Sequence, residues 1–169
     1  MTSKSNWIPA AGIALALVGL PGIEAHAQTA LLSYAAKFVC GSRTLPDSSV
    51  VTGFYETSVN IHNPHFSRVV ARKKAVIALP QSAPPGPISK PVNEPLRSDG
   101  AVGVNCDDIR ALFAPPATGF IEGFLVVYVP AATPIDVVDV ITARHNAGTD
   151  PDVETINVYV VQPIRVTAP

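Results

Sequence analysis

Apolar residues return at every second position in segment after segment of this chain, and that period fits half-buried β-strands and little else. In Tyr34-Ala-Ala-Lys-Phe-Val-Cys40, Tyr34, Ala36, Phe38 and Cys40 share one face, and Ala35, Lys37 and Val39 the other. Phe54 to His62 alternates more sharply, with Tyr55, Thr57, Val59 and Ile61 on one side and Glu56, Ser58, Asn60 and His62 opposite. Asn63-Pro64 ends it, because proline gives no ladder hydrogen bond and Asn-Pro favours a turn. Gly119 to Val129 is the strongest run. Ile121, Leu125, Val127 and Val129 fill one face, and Phe120, Phe124, Val126 and Tyr128 fill the other. Apolar residues on both faces predict a central strand covered on two sides, or on one side by a partner.

Arg68–Leu79, Ala101–Cys106, Ile135–Ala143 and Val153–Val161 are further β-prone runs, the last two separated by the polar loop Arg144–Asp152. Pro80–Pro95 is so proline-rich that it is expected to stay outside any sheet as an extended surface loop. Asp107 to Phe113 suits a short helical turn capped by an Asp, closed by Pro115-Pro116. Seven strands, frequent turn signals and hardly any helix predict an all-β, immunoglobulin-like antiparallel sandwich. The single Trp, Trp7, lies outside the strands, so the Cys-Trp-Cys core of true immunoglobulin domains is missing.

Residues 1–27 read differently from the rest. Lys4 precedes an apolar run from Ile8 to Leu20, Pro21-Gly22 breaks it, and Ala25-His26-Ala27 puts small residues where a signal peptidase cuts. The run is shorter than the roughly 20 residues that span a bilayer. Residues 1–27 are therefore expected to be a secretory signal peptide, and residues 28–169 one exported domain in the periplasm or outside the cell. No second long apolar run follows, so no membrane span is expected after cleavage. In such an oxidising compartment the only two cysteines, Cys40 and Cys106, are expected to form a disulfide between the first and fourth strands. The alternative is a pair of buried thiols acting as small hydrophobes.

Charge narrows the partners. Twelve Lys and Arg stand against 13 Asp and Glu, a net charge of −1, which excludes the basic stripe of a nucleic-acid binder. Arg72-Lys73-Lys74 has two readings, an acidic partner or cations guarding an exposed sheet edge. The sharpest polar group is His62-Asn63-Pro64-His65. Its two imidazoles, with His145 as a third ligand, make a candidate transition-metal site; the plainer reading is a solvated strand end and turn. Asp107 and Asp108, with Asp99, are a candidate calcium site, yet they lack the spacing of a calcium loop and suit a helix cap better. Asp136 and Asp139 fall on opposite faces of one strand and cannot act as a pair. No G-x-S-x-G or metal-type Cys/His spacing occurs, and no cofactor is expected.

Tyr34-Ala-Ala-Lys-Phe-Val-Cys-Gly41, Thr57-Ser-Val-Asn-Ile-His-Asn-Pro64, Asn105-Cys-Asp-Asp-Ile109 and Gly123-Phe-Leu-Val-Val127 with Ile135-Asp-Val-Val138 resemble a group of small exported bacterial proteins without an assigned activity. That resemblance implies a β fold and a bacterial source, and no catalytic residue. The expected function is thus non-catalytic: a cell-envelope module that binds a protein partner or self-associates through Phe120, Phe124 and Tyr128 or through an exposed edge strand. The alternative is a periplasmic small-ligand or metal-binding protein.

Overall fold

The computed structural model describes residues 30–44, 51–145 and 152–167; the leader expected over residues 1–27 lies outside them. The described residues form β1 (Ala30–Arg43), β2 (Gly53–His62), β3 (Val69–Ile77), β4 (Val92–Leu96), β5 (Ala101–Asn105), α1 (Cys106–Ala111), β6 (Ile121–Pro130), β7 (Asp136–His145), β8 (Asp152–Val160) and β9 (Ile164–Thr167). All seven expected strands are present, and β4 and β9 add to them. Every strand pair is antiparallel.

Two layers arise because β1 changes partners. Its residues Leu31 to Cys40 pair with β6, in the order β4-β3-β6-β1 with β9 along the free side of β1. Gly41 to Arg43 pair instead with β2, which continues through β7 to β8 and carries β5 on its other side. Gly41 makes the turn with φ +98, a conformation that costs glycine little. Phe38, Val39 and Cys40 are consequently all buried, breaking the alternation seen in the sequence, since a strand passing between sheets finds neighbours on both faces. The layers β3-β6-β1 and β2-β7-β8 match the division of an immunoglobulin-like sandwich.

The core lies between them. Tyr34, Phe38, Leu125 and Val127 from the first sheet pack with Val59, Ile61 and Val137 from the second. Val39, Tyr55, Ile141 and Ala143 form a smaller cluster at the end where β1 crosses. Three ties stitch the layers: the Cys40–Cys106 disulfide, with Cα atoms 5.6 Å apart, a 3.0 Å hydrogen bond from Ile135 N–H to the Tyr34 hydroxyl, and the buried Thr57 hydroxyl on Val39.

Three local expectations change. The second half of the proline segment does enter a sheet, as β4, with Pro95 opposite Val70. Proline is tolerated there because β4 is an edge strand with one side unpaired. Ile88 bridges Val76, and the Ser89 hydroxyl accepts from Ala75 N–H at 2.8 Å, so this segment is strapped along β3. With β4 on one side and β6 on the other, β3 is not an edge, and Arg72-Lys73-Lys74 guards none. Finally, α1 begins at Cys106, one position before the expected Asp, and Asn105 is its cap. The Asn105 side chain accepts from the N–H groups of Asp107 and Asp108, while Asp108 reaches back to Asn105 N–H at 3.0 Å. Cys106 therefore sits on the helix, just past the fourth expected strand.

Candidate functional site

The outward face of β6 carries the rings singled out in the sequence, but they do not form one patch. Ile121, Leu125, Val127 and Val129 point into the core as the alternation required. Phe124, outward, keeps 42% of its surface exposed, with the Lys37 ammonium 5.7 Å from its ring centre. Tyr128 is half-buried beneath the Lys74 ammonium at 5.4 Å. Phe120 belongs elsewhere: it packs edge-on against Tyr55, centroids 6.0 Å apart, and under Arg43 at 5.1 Å. Its place just before β6, where β1 crosses, turns it toward the smaller cluster instead of toward solvent.

A second apolar surface was not read from the sequence. β8 pairs with β7 on one side only, among the described residues. Its consecutive residues Val158, Tyr159 and Val160 are 62%, 53% and 57% exposed. Edge strands are usually blunted by lysine, proline or a covering element, and Asp152 to Val160 contains neither residue. The absence of those gatekeepers was the available signal; that this strand is terminal depends on topology.

The histidines do not converge. His62 ends β2, with Nδ1 3.1 Å from Asp136 Oδ2 and Nε2 3.1 Å from Asp99 Oδ1. Both ring nitrogens face carboxylates, and the hydrogen bonds to Asp136 and then Asp99 hold its pKa above the usual histidine value. His62 thus joins the end of β2 to the start of β7 and to the turn at Asp99, and both its ring nitrogens are taken up by carboxylates. His65 turns away, its Nε2 2.6 Å from the Pro134 carbonyl. His145 ends β7, whose first residue Asp136 pairs with His62, so it starts nine positions off. At about 3.3 Å per residue that is roughly 30 Å along the strand; the His145 side chain lies outside the described residues. Among the described residues no three His, Cys, Asp or Glu side chains gather as a metal site. Asp99 faces His62 and Asp108 caps the helix, and the three carboxylates of the calcium candidate, Asp99, Asp107 and Asp108, do not gather as a metal site either.

Asn63, inside that same motif, is buried and structural. Its amide nitrogen donates to the carbonyls of Ser67 at 2.8 Å and Arg97 at 2.7 Å, and its oxygen accepts from His65 N–H at 3.1 Å. Asp136 and Asp139 do fall on opposite faces: the first is exposed beside His62, the second buried. Burial raises the Asp139 pKa against the pull of backbone hydrogen bonds at Asp139, Lys37 and Tyr159, and its Oδ1 has no partner.

A polar groove of about 460 Å³ runs beside α1, lined by Phe54, Glu56, Ser58, Asp107 and Arg110. Its cation is occupied, since Arg110 donates to the carbonyls of Ala117 at 3.1 Å and Gly119 at 2.8 Å. No helix among the described residues is long and apolar enough to cross a membrane. Comparison with protein-family models, with curated proteins and with solved structures yields no match.

Proposed function

We propose that this chain is a non-catalytic, exported bacterial β-sandwich module that joins another protein strand along β8. The observation that carries the reading is the one-sided pairing of β8 with three consecutive exposed apolar residues, Val158 to Val160. An added strand would satisfy the outward backbone groups of β8 and cover those side chains, the mode by which extended segments augment an open sheet. Export is supported by the leader pattern of residues 1–27, by the Cys40–Cys106 disulfide and by the resemblance to small exported bacterial proteins. A native intact mass beginning at Gln28 is the expected check on export.

Cross-linking and sedimentation test the contact. A photo-reactive residue at position 158 is expected to cross-link to a second chain in its native envelope or to another copy. The Val158→Lys, Val160→Lys variant is expected to abolish the product while melting like the parent. Cross-linking at 158 no more frequent than at Phe66, which is 98% exposed and off any strand, together with a strictly single chain in sedimentation, would refute the proposal.

A further inference from the structure

The outer face of the other sheet carries a groove of about 500 Å³ whose chemistry is divided along its length. Register explains it. Ile164 lies opposite Ser33, Ser33 opposite Tyr128, and Tyr128 opposite Arg72, so one cross-strand row spans β9, β1, β6 and β3. Paired residues of antiparallel strands project to the same face. Beside that row, Leu31 pairs with Val166, making the β9 end apolar. Lys74 stands two residues from Arg72 on the same face of β3, making the other end cationic.

The polar groups of this groove have no partner among the described residues. Among the described residues, the Arg72 guanidinium and the Ser33 and Tyr128 hydroxyls make no hydrogen bond or ion pair, and Lys74 touches only the Tyr128 ring. The neighbouring Lys73 and Lys37 are, by contrast, neutralised by Glu94 at 2.7 Å and Glu122 at 2.8 Å. Among the described residues no carboxylate lines the groove. Two uncompensated cations and two idle hydroxyls at one end, with an aliphatic floor at the other, form the complement of a small molecule with an anionic head and an apolar tail. The volume lies within the range of small-ligand sites.

We infer that this groove binds an amphiphilic carboxylate, its head between Arg72 and Lys74 and its tail along Leu31, Ile164 and Val166. The surface lies on the opposite sheet from β8, so the inference stands apart from the assembly reading.

Decanoate, kept below its micelle-forming concentration, is the probe, titrated into the purified chain and followed by amide NMR shifts. One saturable site is expected, with shifts concentrated at residues 31, 33, 128 and 166. Arg72→Gln or Lys74→Gln is expected to weaken binding roughly tenfold, as loss of a charged hydrogen bond does, and neutral decanol to bind at least that much more weakly than decanoate. Ile164→Asp, at a position 66% exposed and therefore harmless to folding, is expected to reduce affinity from the tail side. Equal affinity for decanoate and decanol, unchanged binding by the charge variants, or shifts scattered over other surfaces would overturn the inference.

Discussion

Just before β1 turns from one sheet to the other, the Thr57 hydroxyl of β2 reaches Val39, accepting from its N–H at 2.9 Å and donating to its carbonyl oxygen at 2.9 Å. Thr57→Val keeps the shape and strands both backbone groups in a buried place. A loss of about 2 kcal/mol in urea unfolding is expected, since an unsatisfied buried group costs about 1–3 kcal/mol; Thr57→Ser should recover most of it. Asp139 makes the opposite prediction. Its raised pKa means the folded chain holds that proton more tightly than the unfolded one. The associated stability is full below the ordinary aspartate value and is lost as pH rises through the folded one. Asp139→Asn is therefore expected to melt a few degrees higher than the parent at neutral pH and to match it in acid. Melting curves across pH that run parallel for the two proteins would contradict it. Alternation in the sequence assigned Thr57 and Asp139 to their faces, but not their roles: a period of two says which side a residue occupies and nothing of which backbone atoms lie across the core.

Elements add constraints that single residues do not show. The β1 crossing turns at Gly41, where an added Cβ would sit 2.7 Å from the Gly119 carbonyl oxygen and 2.9 Å from Arg110 Nη2. Gly41→Ala is expected to destabilise by about 1–3 kcal/mol, the scale of a strained backbone position, measured by chemical denaturation. The turn after β2 is joined to its neighbours by His62, clamped between Asp136 and Asp99. Because its pKa is raised, the clamp stabilises fully below the ordinary histidine value of 6.5 and fades as pH climbs through the folded value. His62→Gln is expected to lower the melting midpoint at about pH 6 and to have little effect at about pH 9, with the imidazole NMR titration midpoint above 6.5 as the direct check. The strands were legible because their faces differ in polarity. β4 was not, because Pro95 and its neighbours carry no alternation and pair only through the open side of β3. The histidine motif was legible as a cluster and misleading as a ligand set, since the partners of His62, Asp99 and Asp136, come from distant parts of the sequence.

At the scale of the whole molecule, a short list of ties holds two sheets whose strands come from every part of the sequence. The disulfide joins residues 66 apart, and replacing Cys40 and Cys106 by Ala is expected to cost roughly 4 kcal/mol in the chain-entropy view. Urea unfolding of the double variant measures it; a loss below about 1 kcal/mol would mean the two layers hold the unfolded-state entropy by other means. Sandwich and bridge were readable in advance from seven alternating runs and two cysteines. The sheet order was not, and with it went the exposed edge at β8 and the cationic groove, because no local pattern says which strand lies outermost. The pairing of Ala30 with Thr167 and of Leu31–Cys40 with Pro130–Ile121 carries one more consequence. The first of the described strands to be synthesised must wait for the last ones before its ladder closes. A ladder that joins the two ends of the described chain is a non-local pairing, the class of contact that closes late in folding.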